Sequence, residues 1–400
     1  MRRARRTRYL FFFADDSTFL DVALLLRGEA RLAPVRQVYA ISILTGDEYP
    51  LTRAELDRLL AIRSDEWVEV EETAELRRFA EQGLLVTDDE AAELVCLRRR
   101  DECLSATGWN LYGALYHSLT RWSDVEAELL EQPVPAVELE ARLERFFERH
   151  GPAPPHFHRV ADGSQARELP LVRPSSDFYR TLERRATTRV FDRTRPISER
   201  DLAVLLYYVF GCHGYVAMGS RVLALRKTSP SGGGLHPIEA YPLVVSVEGL
   251  AAGLYHYDVE RHALEPLEQM DPASAVRVAE RFTCGQSYFG NAGALFVLSA
   301  RFSRSFWKYR NAERALGVVL MDAAHVSQTF QLVCAELGLG SFVTMAINSR
   351  DIDARLGIDG FGEGSLAVVG CGVRVEGESV LTPKFEPYVP RETELPSARE

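Results

Sequence analysis

Apolar residues recur at helical spacing at Leu56, Leu59, Leu60 and Ile62, directly behind Thr52 and Glu55, which can satisfy each other's helix-start donors as a capping box. A second helix is predicted from about Thr73, through Leu76, Phe79 and Ala80, to a stop at Gly83. Leu84 to Val86 then reads as a short strand before the acidic turn at residues 87–90. Upstream, Arg8 to Ala14 and Phe19 to Leu26 are strand-like, and the Arg-rich start reads as a frayed end. Residues 102–150 are mainly helical, with Trp109, Tyr112, Leu115 and Tyr116 at core spacing. A Glu- and Arg-rich helix from about Pro135 to Arg149 carries Leu139, Leu143, Phe146 and Phe147, a stripe that suits a dimer contact and internal packing equally.

The second half alternates differently. Ser198 caps a helix bearing Leu202, Leu205, Leu206 and Val209 that ends at Gly211. Strands are expected at Tyr241 to Val247, at Gly253 to Tyr257 paired with His262 to Leu267, at Ala294 to Ala300, and at Ser365 to Gly370, the last closing the sheet. Between them a helix from about Glu313 to Leu337 is apolar nearly all round, which places it at the centre of its domain or in a large dimer interface.

Turn-rich sequence between His150 and Ser176 cannot bury much apolar surface and marks a boundary. The expected organisation is a domain at 1–150, a linker at 151–176, a second domain at 177–378, and a loosely ordered tail at 379–400, where proline and glutamate dominate. Two short helices followed by a strand and a turn give the first domain a winged-helix-like α/β character. Its second helix offers only Arg77 and Arg78 among Glu71, Glu72, Glu75 and Glu81, which argues against DNA reading. Holding a peptide strand at a sheet edge, or packing without a ligand, are the two uses left open.

Composition narrows the function classes. The 400 residues are 46% hydrophobic and 26% charged, as in ordinary soluble globular proteins, and a net charge of -10 disfavours a nucleic-acid partner held by bulk electrostatics. No apolar run is expected to approach the ~20 residues needed to cross a bilayer, so no membrane partner is expected. Tyr9 to Ala14 is stopped by Asp15 and Asp16 and lacks a signal-peptide core. The cysteines at 96, 103, 212, 284, 334 and 371 form no C-x-x-C pair, so no metal site is expected, and reduced thiols in a cytoplasmic protein are.

Three stretches carry candidate chemistry. In Thr228-Ser-Pro-Ser-Gly-Gly-Gly-Leu-His-Pro237 three glycines precede an apolar strand; without Cβ atoms that backbone can lie against a flat ligand and point N–H groups at it. Arg185, Thr187 and Arg189 alternate and would project to one side of an extended segment, a donor set that suits a terminal phosphate. Lys308 and Tyr309 are adjacent and could reach one pocket from a helix start. His325 and Gln328 lie about one turn apart on the long helix, where a satisfied core histidine is the simpler reading.

The order Arg185-Ala-Thr-Thr-Arg189, Pro230-Ser-Gly-Gly-Gly-Leu-His-Pro237, Gly253-Leu-Tyr-His-Tyr-Asp258, Lys308-Tyr309, Asp322-Ala-Ala-His325 and Gly338-Leu-Gly340 resembles the SagB-type dehydrogenases. These are flavin-dependent members of the nitroreductase-like superfamily that mature ribosomally made peptides, and the likeness covers roughly residues 175–375. It implies an α+β, nitroreductase-like fold with a central mixed sheet flanked by helices, a homodimer, and FMN as cofactor. Arg185, Thr187 and Arg189 would hold the phosphate and ribityl chain. Pro230, Ser231, Gly232, Gly233 and Gly234 would pass over the ring, usually from the partner subunit, and Gly338, Leu339, Gly340 and Ser341 would supply backbone donors near it. Lys308 and Tyr309 match the pair to which the family assigns catalysis. The implied reaction is oxidation of azolines to azoles on a precursor peptide, beside a cyclodehydratase. An NAD(P)H-dependent reductase and a non-catalytic scaffold are the alternatives. His236 stands where the family commonly has tyrosine, and is the candidate substrate contact.

Overall fold

In a computed structural model of the protein, residues 2–20, 32–126, 136–152, 154, 157, 167–218, 222–375, 388 and 390 are described. The expected strand at Phe19 to Leu26 lies outside these beyond Leu20, as do parts of the expected linker and most of the tail; the side chains of Leu139 and Leu143 are also outside them.

The N-terminal half runs β1 (Arg2–Arg6), β2 (Leu10–Leu20), β3 (Leu32–Ser42), β4 (Asp47–Leu51), α1 (Arg53–Ala61), β5 (Val68–Val70), α2 (Ala74–Glu81), β6 (Leu85–Thr87), α3 (Ala92–Thr107), α4 (Leu111–Leu119) and α5 (Ala136–His150). β2, β3 and β4 form an antiparallel meander. The capping box is formed: Thr52 N–H donates to Glu55 Oε2 (2.7 Å) and Glu55 N–H to Thr52 Oγ1 (3.3 Å).

The Arg-rich start is not frayed. β1 is the middle strand of a sheet in the order β5-β1-β6. Arg5, 4% exposed, pairs with the fully buried Asp101 of α3 at 2.6 Å, and Thr7 Oγ1 donates to the same carboxylate (2.8 Å). A buried guanidinium needs such a partner, and this one lies 96 residues away, beyond the reach of local pattern.

The second half contains α6 (Asp177–Arg184), α7 (Glu199–Phe210), β7 (Gly214–Ala217), β8 (Leu223–Arg226), β9 (Ile238–Val244), β10 (Gly253–Asp258), β11 (Ala263–Gln269), α8 (Pro272–Phe282), β12 (Ala294–Arg301), α9 (Phe302–Phe306), α10 (Ala315–Glu336), β13 (Gly340–Thr344), α11 (Ser349–Leu356) and β14 (Glu363–Gly372). Its six-stranded sheet has the order β11-β10-β9-β12-β14-β13. β14 is therefore interior, and β13, unforeseen as a strand, closes the edge. Rather than the mixed pairing expected, every ladder in this sheet is antiparallel; parallel pairing is confined among the described residues to isolated bridges such as Thr187 with Ser341.

Both faces of the sheet are covered, which explains the unbroken apolar run of β12. Ala294, Phe296, Leu298 and Ala300 face one core with α7 and α10, while Leu295 and Val297 face another with Ala275, Val278 and Phe282 of α8. The first core does not stop at the linker: Ile43, Leu44, Leu104, Trp109 and Ala114 of the N-terminal half belong to it. Contrary to the expectation that no stretch could span a bilayer, α10, with 22 residues, is long and apolar enough by length and composition. It packs here against α7, β13 and β14.

Candidate functional site

One stripe of α10 organises the glycine loop. Val318, Asp322, His325 and Thr329 follow one another at four-, three- and four-residue steps, so they share a face. Asp322, 3% exposed, accepts from Ser231 Oγ (2.6 Å) and from the Gly232 N–H (2.9 Å). His325 Nδ1 meets the Pro230 carbonyl (3.2 Å), and Thr329 Oγ1 meets Ser229 Oγ (2.7 Å). Against this stripe the chain makes a 3-10 turn over Gly232–Gly234. A Cβ on Gly232 would stand 2.1 Å from Val318 Cγ1, so any other residue there would force the Val318 side chain to move.

Gly233 brings two predicted regions together. A Cβ at that position would lie 2.6 Å from the Tyr309 hydroxyl oxygen and 2.8 Å from Lys308 Nζ. Both side chains reach the loop from the turn between α9 and α10, and Arg304 Nε fastens α9 to the Leu235 carbonyl at 3.0 Å. Tyr309 is half-buried and Lys308 exposed in the single chain. Gly234 shares the left-handed backbone of its neighbour (φ 68° against 66°) but differs in its surroundings: nothing lies within 4 Å of where a Cβ would be.

The arginine segment meets the far end of α10. Arg185 Nη1 donates to Gln331 Oε1 (3.3 Å), Arg189 hydrogen-bonds the Tyr288 phenol, and Thr187 bridges Ser341, whose carbonyl accepts from the Thr188 N–H (2.8 Å). Arg185, Thr187, Arg189 and Ser341 are thus neighbours of one edge, and Asp322 and Gln331 lie nine residues apart on the helix, roughly 13.5 Å along its axis. In the Gly338–Gly340 stretch, the Leu339 N–H closes the helix on Cys334 O (2.8 Å) and the Gly338 N–H turns to Ala335 O (3.4 Å). These two amides end α10 and are not the free donors the motif suggested.

His236 sits beneath the loop with φ 47°. Its N–H donates to Ser231 Oγ (2.9 Å) and its Nε2 meets the Leu225 carbonyl (3.1 Å). Burial lowers its pKa, with Lys227 adding to the effect. His236, Lys227, Ser229, Ser231 and Asp322 line a void of about 20 Å³, room for one water and no substrate.

Asp322 and Gln331 escaped assignment although each is a buried polar residue in an otherwise apolar helix, a signal the sequence carried. Thr188 gave no such signal. Its hydroxyl, on a residue 1% exposed, has no hydrogen-bond partner among the described residues. The half-buried Arg185, Thr187 and Arg189 at one edge, together with the open left-handed Gly234, fit a phosphorylated planar group such as FMN.

Residues 182–373, just under half of the chain, match the Nitroreductase family, so this segment is a nitroreductase domain with the nitroreductase-like fold. The chain is 27% identical over 219 residues to the trifolitoxin-processing protein TfxB of Rhizobium leguminosarum bv. trifolii, spanning 54% of this chain and 58% of that protein's length. Among solved structures it is similar to the microcin synthetase McbBCD complex of E. coli with truncated pro-MccB17 bound, at 24% identity and a TM-score of 0.47, covering 69% of this chain and 94% of that one. It is also similar to the NADPH:FMN oxidoreductase of Vibrio harveyi complexed with NAD+, at 13% identity and a TM-score of 0.36, covering 54% and 74%.

Proposed function

We propose that the protein is an FMN-dependent dehydrogenase that matures a ribosomally synthesised peptide by oxidising azoline rings to azoles, as a cytoplasmic homodimer alongside a cyclodehydratase. The observation that carries the reading is the convergence of Lys308 and Tyr309 on Gly233 of a loop pinned by Asp322. Similarity to a trifolitoxin-processing protein supports peptide maturation as the setting.

Arg185, Thr187 and Arg189 would hold the phosphate and ribityl chain, and Pro230 to Gly234 would lie against the ring, with Gly340 and Ser341 near it. When bound, FMN supplies the acceptor for the hydride that azoline oxidation releases. The accompanying proton needs a base within hydrogen-bond reach. Lys308 Nζ takes that proton from the ring carbon, and the Tyr309 hydroxyl donates to the ring heteroatom and orients it. Lys308 Nζ lies 5.5 Å from the Tyr309 ring centroid, a spacing that supports the two groups serving one substrate ring.

The test uses a precursor peptide that already carries azolines. The FMN-loaded parent is expected to remove two hydrogens per ring, read by mass spectrometry. Lys308→Ala should retain FMN and lose turnover by about a hundred-fold or more; oxidation at the parent rate would falsify the base assignment. Bleaching of the flavin by NAD(P)H with no change in the peptide would mark a reductase instead.

A further inference from the structure

The segment that carries Lys308 and Tyr309 is held at both ends by one turn of the N-terminal half. Between α3 and α4 the chain turns at Gly108, Trp109 and Asn110. Trp109, 1% exposed, packs its ring on Phe302 (4.6 Å between centroids) and edge-on to Phe306 (4.8 Å), the two aromatic residues of α9. Its indole N–H donates to the Phe361 carbonyl at 2.9 Å. That contact fixes the entry to the segment.

The exit is fixed by hydrogen bonds. Asn311 is left-handed (φ 58°); its N–H donates to the Gly108 carbonyl (3.0 Å), and its carbonyl accepts from Asn110 Nδ2 (3.3 Å). The other end of the same amide, Asn110 Oδ1, caps α4 by accepting from the N–H groups of Tyr112 (3.0 Å) and Gly113 (3.3 Å). Gly108, with φ 82°, admits the Arg310 stem, which a Cβ would meet at 2.9 Å. Two and three residues separate Asn311 from Tyr309 and Lys308, so a slip at Asn311 moves both side chains relative to Gly233.

We propose that Asn110 is a positioning residue for Lys308 and Tyr309, and that the Gly108–Asn110 turn is the means by which the N-terminal half sets the reactive geometry. This rests on the catalytic role given above to the pair. A bare structural role for Asn110 would lie in its cap alone, and the two ends of its amide can be separated by substitution. Asn110→Asp and Asn110→Ser both keep an oxygen to cap α4; the aspartate has no donor for Asn311, and the serine hydroxyl, one bond shorter, stops short of the amide nitrogen's position.

The experiment measures two quantities on full-length, FMN-loaded protein with equal flavin content: steady-state oxidation of the azoline peptide, and deuterium exchange over residues 307–312. In both variants kcat is expected to fall about ten-fold or more with KM within about two-fold, since small displacements of reacting groups carry large penalties. Exchange over 307–312 should quicken while that of α4 stays at the parent rate. Parent kcat in either variant, or a lowered kcat without faster exchange at 307–312, overturns the proposal. If Lys308→Ala oxidises peptide at the parent rate, the catalytic reading fails instead, and the exchange measurement still reports whether Asn110 holds the segment.

Discussion

Gly233 and Gly234 share a left-handed backbone, with φ of 66° and 68°, yet a side chain would meet different surroundings at each. Alanine at either costs about 1–2 kcal/mol of backbone strain. Only at Gly233 does the new methyl also strike Tyr309 and Lys308. Chemical denaturation should therefore show similar losses of stability for Gly233→Ala and Gly234→Ala. Turnover per bound flavin should drop for Gly233→Ala alone, and Gly234→Ala should chiefly weaken FMN, whose ring the open side of that residue would face. Asp322 acts at the same scale. Asp322→Ala leaves the half-buried Gly232 N–H without its acceptor, a loss of at most about 1–3 kcal/mol, the range for a fully buried group. If that cost falls on the flavin-binding form of the loop, Kd for FMN rises about ten-fold per 1.4 kcal/mol, measurable by fluorescence titration; an unchanged Kd would remove Asp322 from the cofactor site.

Elements explain how far the chain could be read before its structure. α10 and β12 were legible because burial on every side leaves an unbroken apolar signature, and α1 because its cap is local. β1 and β13 were not: one is stabilised by Asp101, far along the chain, and the other is short and opens on Gly340. The candidate site divides the same way. Its glycines, arginines and Lys308-Tyr309 stand out as motifs, whereas the task of Asp322 depends on a loop 90 residues away. α4 carries a residue of the same long-range kind. His117, 4% exposed, stacks on Trp109 and has Nε2 at 2.7 Å from the Gly360 carbonyl. Burial, with Arg121 beside it, lowers its pKa from 6.5 to about 3. The folded ring stays neutral where the unfolded one protonates, so its contribution to stability is full above pH 6.5 and is lost as the pH falls toward 3. Asp353, raised by burial from 3.8 to about 6 despite Arg121, runs in the opposite sense: its folded form gains relative to the unfolded as pH falls through 6. The His117 share is isolated by comparison with His117→Gln, which keeps a donor for Gly360. Melting curves should show the parent losing more stability than the variant between pH 6.5 and 4, and parallel curves would mean that the ring is not held neutral.

At the scale of the whole molecule, α10 has more apolar surface than one chain covers. Only 33% of its most apolar window is buried, and Met321, 61% exposed, stands on its outer side with Gly317 and Ala324. A cavity of about 240 Å³ nearby is lined by Leu316 and Leu320 of this helix, by Tyr116, Leu119 and Trp122 of the N-terminal half, and by Met345 after β13. Exposed apolar area of this kind marks an interaction face. The same helix pins the glycine loop at Asp322 and contacts Arg185 at Gln331, so a second copy docking on its outer side would lie close to the proposed flavin. A charge placed at the centre of such an interface must be desolvated or expelled. Light scattering should accordingly give the parent twice the mass of its chain and Met321→Glu the mass of one. The variant should keep the parent's far-ultraviolet circular dichroism yet lose most of its FMN, because Met321 itself belongs to no hydrogen-bonded part of the loop. A dimeric Met321→Glu with full flavin would place the subunit contact elsewhere, and a monomeric one with full flavin would show that a single chain completes the site.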